Sequence, residues 1–163
     1  LKEQIHIDRI LESEGNQSDA TDKYNRVDIL AENDKGELLI IEIQNTRELY
    51  YFQRMLYGVS KAITDYISLG DQYSQVRKVY SINIVYFDLG QGSDYIYHGR
   101  TEFIGVHTRD VLHLSDKQQS TFIRKEAGAL FPEYYVLRVN EFNDVACSPI
   151  DEWIEYLKTG DID

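Results

Sequence analysis

Apolar and polar residues alternate along the first part of the chain, and the period then changes. "IHIDRIL" (Ile5 to Leu11) alternates and predicts a strand, while the polar stretch "ESEGNQSDATDKY" after it reads as a loop. "RVDILAE" and "ELLIIEIQ" are apolar runs on either side of Asn33-Asp34-Lys35-Gly36, whose turn-forming residues predict a β-hairpin. From Thr46 to Leu69 the period is helical. Leu49, Phe52, Leu56, Val59, Ile63, Tyr66 and Ile67 recur at steps of three and four, with Gly70 placed as a C-cap. "KVYSINIVYFDL" (Lys78 to Leu89) has the β-branched character of a buried strand. "DYIYHGRTEFIGVHT" predicts a second hairpin around Gly99, and "SDKQQSTFIRKEAGALF" a helix capped at Ser115 or Asp116. "YYVLRV" predicts a short strand, and "SPIDEWIEYLK" a helix with Pro149 in its first turn. The order predicts a small α/β fold with a mixed sheet.

Composition narrows the setting. A chain of 163 residues with 42% hydrophobic and 28% charged residues has room for one ordinary core. No repeat or Pro/Gly-rich linker divides it, so residues 1–163 are expected to form a single domain. The chain opens at Leu1 with no signal pattern, and is expected to lack N- and C-terminal segments of a longer protein. Apolar runs such as Leu38 to Ile41 fall far short of the roughly 20 residues of a membrane span. A lone cysteine, Cys147, excludes an internal disulfide and a cysteine-rich zinc site, and fits a reducing compartment, the cytoplasm by default. The formal charge of −11 opposes a general grip on phosphates. Nucleic-acid binding would need a local basic patch, a bound cation or a further segment.

Against that background the polar residues inside the first hairpin stand out. Asp28 and Glu42 lie symmetrically about Lys35, so a regular ladder sets them face to face with Cβ atoms about 5 Å apart. Alternation puts Gln44 on the same face as Glu42. Carboxylates that close repel, and the pair must take a proton or attract a cation. A hard divalent ion such as Mg²⁺ takes oxygen ligands and shares itself with phosphate, and the Ile43 carbonyl could add a further oxygen. The alternative is structural: Asp28 pairs with Arg26 or Lys23, and Glu42 reaches solvent at a sheet edge.

The same residues carry a resemblance. An Asp, a hairpin turn and Glu-x-Gln before a long helix resemble the PD-(D/E)XK nuclease superfamily. "DKYNRVDILAENDKGELLIIEIQN", "FQRMLYGVSKAITDYISLGDQY" and "VYSINIVYF" resemble its transposase family, the recombination-promoting nucleases, from about Ile5 to Phe87 and more loosely to "SPIDEWIEYLK". The resemblance implies a restriction-endonuclease-like core, a mixed central sheet flanked by helices, and metal-dependent cleavage of DNA phosphodiesters. It implies Asp28 and Glu42 as metal ligands, with Gln44 where the superfamily usually has lysine. Gln supplies no positive charge and orients water only by hydrogen bonds. An acidic residue that the superfamily often carries on an earlier helix is not seen in this chain.

Arg47, Arg54 and Lys61 recur every seven residues and predict a basic stripe on the long helix, with Tyr50 and Tyr57 beside it. Arg54, in "FQRMLYG", matches a basic position typical of the family and is the expected phosphate contact. A solvated surface stripe is the competing account, and it applies to Arg77-Lys78 as well. His6, His98, His107 and His113 lack metal-ligand spacing, and no Gly-rich phosphate loop is present. The resulting expectation is a Mg²⁺- or Mn²⁺-dependent DNA endonuclease serving transposition or recombination. Its catalytic set is Asp28, Glu42 and Gln44, its metal ligands Asp28, Glu42 and Ile43, and its DNA contacts Arg54, Arg47 and Lys61. The alternative is a catalytically inactive nuclease-fold module that binds nucleic acid or protein. RNA as substrate and assembly into a homo-oligomer stay open.

Overall fold

A computed structural model describes residues 7–15, 26–67, 69–142 and 148–160. Six strands form one sheet: β1 (Ile7–Gly15), β2 (Arg26–Asn33), β3 (Leu38–Gln44), β4 (Val79–Val85), β5 (Ile96–Gly99) and β6 (Glu133–Arg138). Their spatial order is β1-β2-β3-β4-β6-β5. β1, β2 and β3 run antiparallel as a meander, β3, β4 and β6 run parallel, and β5 closes the far edge antiparallel to β6. Three helices accompany the sheet among the described residues: α1 (Tyr51–Asp65), α2 (Asp116–Phe122) and α3 (Pro149–Thr159).

The parallel pairing of β3 with β4 needs a crossover, and α1 supplies it. Alternation along β3 and β4 sends Leu38, Glu42 and Gln44, with Val79, Ser81, Asn83 and Val85, to one buried face. α1 lies on that face through Tyr51, Met55, Val59 and Ala62, which are its buried residues. Leu38, Val59, Ala62 and Val79 form one apolar cluster, and Tyr51, Met55, Val85, Phe87, Leu89 and Val136 another. Each large aliphatic side chain buried there contributes about 1.5–3 kcal/mol. Between the clusters runs a polar strip: Tyr51 donates to Asn83 Oδ1 (3.3 Å), and Asn83 Nδ2 donates to Ser81 Oγ (2.9 Å). α3 is tied to the end of β4 and to the segment after β6. Tyr86 donates to the Leu157 carbonyl, and Lys158 to that of Phe142.

Several elements differ from the sequence expectation. β1 runs through Gly15, into residues read as loop. α1 starts at Tyr51, not Thr46, and its buried stripe is rotated from the expected one. Leu49 (83% exposed), Phe52 and Leu56 face outward. Phe52 and Leu56 instead line a groove of about 490 Å³ with Tyr97, His98 and Val136. Gly70 has φ 92° but follows the helix end at Tyr66 and does not cap it. The second hairpin does not form. Gly99 ends β5 against Tyr134 of β6, and the expected second arm contributes an isolated bridge, Ile104 to Val111, in place of a strand. The helix expected from Ser115 to Phe131 begins as expected, with Ser115 and Gln118 in a reciprocal capping box. It stops after Phe122 because Ile123 turns left-handed (φ 54°), and a short 3₁₀ turn, Ala127–Leu130, follows. There a Cβ on Gly128 would overlap the Thr101 carbonyl, so only glycine fits. His6, Lys23 and Cys147 lie outside the described residues.

Where β4 begins beside β6, Glu133 meets Lys78 at 2.9 Å and His98 at 2.8 Å. Burial raises the Glu133 carboxyl, but the Lys78 hydrogen bond and charge, then those of His98, outweigh it and hold it below the ordinary glutamate range. A depressed folded-state pKa gives stability above the unfolded value, about 4.3 for glutamate. That stability is lost as pH falls through the folded value. Glu133→Gln should therefore lower Tm at neutral pH and make its decline on acidification shallower, the two proteins converging in acid. Calorimetry at a series of pH values checks this; parallel profiles would mean that the pair adds no stability.

Candidate active site

The hairpin between β2 and β3 is set by Asn33. Its side-chain Oδ1 accepts from the backbone N–H groups of Lys35 (3.1 Å) and Glu37 (2.9 Å), and its carbonyl accepts from Gly36. Gly36 takes φ 72°, which a residue with a Cβ adopts only at a cost. This turn fixes a register in which Glu32 pairs with Leu38 and, four steps on, Asp28 pairs with Glu42. The two carboxylates thus face each other across adjacent antiparallel strands, as the symmetry about Lys35 requires. β3 is an interior strand, flanked by β2 and β4, so Glu42 does not reach solvent at an edge; it is only 7% exposed. The structural alternative fails there for Glu42. Its proposed partners for Asp28, Lys23 and the Arg26 side chain, lie outside the described residues.

Arg54, in the first turn of α1, reaches back over the pair. Its Nε lies 2.8 Å from Glu42 Oε1, in the geometry of an ion pair rather than an aligned hydrogen bond. Its Nη1 donates to Glu48 Oε2 at 2.8 Å. Its Nη2 lies 4.0 Å from Asp28 Oδ2, beyond hydrogen-bond distance, and is a buried donor with no acceptor. One guanidinium thus spans three carboxylates. The contacts are partly buried, with the Arg54 side chain 21% and the Glu42 side chain 9% exposed, so solvent screens them less than a surface pair.

Gln44, 6% exposed, completes the cluster. Its Nε2 donates to the Thr46 carbonyl (2.8 Å) and to Glu48 Oε2 (3.2 Å), while its Oε1 is buried without a hydrogen-bond partner. Ile43 sits between Glu42 and Gln44, paired with Val27 on one side and Ile84 on the other. A carbonyl in such an interior strand ordinarily has a ladder partner and keeps one lone pair to share.

The expected basic stripe is reduced. Arg47 precedes α1 and pairs with Asp88 (3.1 Å) in the open, while Lys61 pairs with Asp65 on the exposed face of the helix. Arg54 alone of the three meets the carboxylates. The sequence does not single out Glu48, which falls inside the helical period that starts at Thr46. It lies in the turn between β3 and α1, where its carboxylate is free to fold back on Gln44 and Arg54. Among the described residues no three His, Cys, Asp or Glu side chains form a group that could hold a metal ion. Among the described residues, a further ligand beside Asp28 and Glu42 would come from an amide, hydroxyl or main-chain oxygen. In kind these donors fit a hard divalent ion: two carboxylates, a carbonyl and an amide oxygen that lacks a partner.

A mixed six-stranded sheet with α1 as its crossover, carrying acidic residues on the hairpin strands, is an α/β frame of the restriction-endonuclease-like kind. Sequence comparison fixes the family: the chain belongs to the PD-(D/E)XK nuclease family transposases, whose family model matches residues 1–162 of the 163. No curated protein and no solved structure matches it. Membership implies DNA as the substrate class. No helix among the described residues is long and apolar enough to cross a membrane.

The ion-pair geometry makes a stability prediction. Arg54→Gln removes the guanidinium from between Glu42 and Glu48 and should cost about 3 kcal/mol, the low end for breaking a buried pair. A second change, Glu42→Gln, should recover part of that loss by removing the charge left behind. Urea denaturation of the single and double variants measures both. Strictly additive losses would show that Arg54 and Glu42 do not interact.

Proposed function

We propose that the protein is a Mg²⁺- or Mn²⁺-dependent DNA endonuclease acting in transposition or recombination. The observation that carries this reading is the register that sets Asp28 against Glu42 on interior strands beneath the cationic Arg54 side chain. A protein that needed only a stable sheet would place apolar residues there, since burying like charges is costly.

Asp28 and Glu42 would hold the divalent ion, with the Ile43 carbonyl beside them. When bound, such an ion lowers the pKa of water and neutralises charge developing on a phosphoryl group. Gln44 would face the ion and its water with its amide oxygen. Among the described side chains Arg54 is the cation that meets the carboxylates, and its Nη2 lacks an acceptor. With an ion held by the carboxylates, the Arg54 guanidinium would be placed to meet a phosphate oxygen, a contact for which its planar fork is suited. This local charge answers the −11 of the whole chain: the divalent ion and Arg54 supply the positive field at the point of cleavage. Arg47 and Lys61, exposed on the approach, add weaker phosphate contacts.

A second reading has its own support. Arg54 already neutralises part of the carboxylate charge by contacts at 2.8 Å. On that basis the cluster is a structural ion-pair network in a catalytically silent module for nucleic-acid or protein binding.

Asp28→Asn separates the two. On the nuclease reading the variant folds, loses Mn²⁺ binding, and no longer nicks supercoiled plasmid. A cation at about 100 times its Kd stabilises wild type by about 2.7 kcal/mol, several degrees in Tm, and should leave the variant unmoved. On the structural reading wild type shows no metal-dependent shift and no nicking in Mg²⁺ or Mn²⁺ beyond that in EDTA.

A further inference from the structure

The orientation of one amide decides what Gln44 can do, and Glu48 sets that orientation. Both hydrogens of Gln44 Nε2 are engaged, one by the Thr46 carbonyl at 2.8 Å and one by Glu48 Oε2 at 3.2 Å. Flipping the amide would press Oε1 against a carbonyl and a carboxylate, two acceptors facing an acceptor, so the network admits one orientation. Oε1 is therefore turned away from Thr46 and Glu48. It is buried, has no hydrogen-bond partner, and belongs to a side chain on the same sheet face as Glu42. An unpartnered buried amide oxygen is costly, and a ligand at the site can offset that cost.

We propose that Gln44 serves the site through Oε1 as the third side-chain oxygen ligand of the divalent cation, and that Glu48 is the positioning residue that holds it so. This rests on the nuclease reading and deepens it. A lysine at position 44 would bring a positive donor beside the ion; this glutamine brings an acceptor. The side chains available make the same point. Asp28 and Glu42 find no third His, Cys, Asp or Glu among the described residues with which to hold a metal, while the amide oxygen is already on their face. Glu48 contributes a second effect through the same carboxylate oxygen. It accepts Arg54 Nη1 at 2.8 Å and so keeps an anchor on the guanidinium outside the Asp28–Glu42 pair. Glu48 keeps a third of its side chain exposed and lies between elements, so its replacement is compatible with the fold.

The test is a double-mutant cycle read as Mn²⁺ affinity of the full chain, by electron paramagnetic resonance of free Mn²⁺, with no nuclease assay needed. Gln44→Ala and Glu48→Leu should each weaken Mn²⁺ binding about 10- to 100-fold, the range for metal-site supporting residues. Glu48→Gln keeps an acceptor for Gln44 Nε2 and should stay within about threefold of wild type, a change of about 0.6 kcal/mol. If Glu48 acts through Gln44, Glu48→Leu should cost less in the Gln44→Ala background than it does alone, the remainder being its hold on Arg54. Wild-type affinity in Gln44→Ala overturns the ligand assignment, and full additivity in the cycle overturns the positioning role; in either case wild-type binding leaves the nuclease reading standing. Absence of Mn²⁺ binding in wild type overturns both together.

Discussion

Two carboxylates held opposite each other on interior strands form the constraint around which the rest of the molecule is arranged. Asp28 and Glu42 cannot move apart, because the Asn33 turn fixes the hairpin register and β4 closes the other side of β3. Their repulsion has to be met by a positive charge, and the fold brings one. The crossover helix that the β3–β4 pairing requires starts just beyond Gln44, and its first turn delivers Arg54. A topological necessity and an electrostatic one are satisfied by the same segment. The turn before the helix adds Glu48, which shares one oxygen between Gln44 and Arg54.

The packing of α1 explains how this charge cluster coexists with a stable core. The helix buries Met55, Val59 and Ala62 over apolar residues of β3 and β4, and places Tyr51 over the polar strip of Asn83 and Ser81. Hydrogen bonds within that strip offset its burial. The cost of charge is thus confined to one end of the helix, where the cluster retains partial access to solvent. An orphaned donor and an orphaned acceptor, Arg54 Nη2 and Gln44 Oε1, are left over at that end.

The sequence disclosed the parts of this arrangement that depend on local rules. Alternation and an Asn-Asp-Lys-Gly turn located β2 and β3, and the symmetry of that turn located the facing carboxylates. β4 and β6 were legible because their β-branched and aromatic runs are long relative to their ends, and α3 because Ser148 and Pro149 mark its start. What misled was periodicity without knowledge of the partner. Leu49, Phe52 and Leu56 recur as a helical stripe should, yet the sheet meets α1 along Tyr51, Met55, Val59 and Ala62. The second hairpin looked as convincing as the first, but β5 found a non-local partner in β6, which no local pattern announces. Glu48 was hidden for the related reason that helix boundaries are poorly marked when no cap residue begins them; Tyr50 makes no side-chain cap. Arg54 was legible as a cation near the site. That it engages Glu42 and Glu48 depends on three-dimensional packing.

The most direct measurement is an anomalous-diffraction experiment on crystals grown with Mn²⁺. The account predicts a single strong anomalous peak between Asp28 and Glu42, in contact with Gln44 Oε1, with the Arg54 guanidinium withdrawn from Glu42 while still held by Glu48. A density map with no anomalous peak at saturating Mn²⁺, and Arg54 still seated on Glu42, would contradict it.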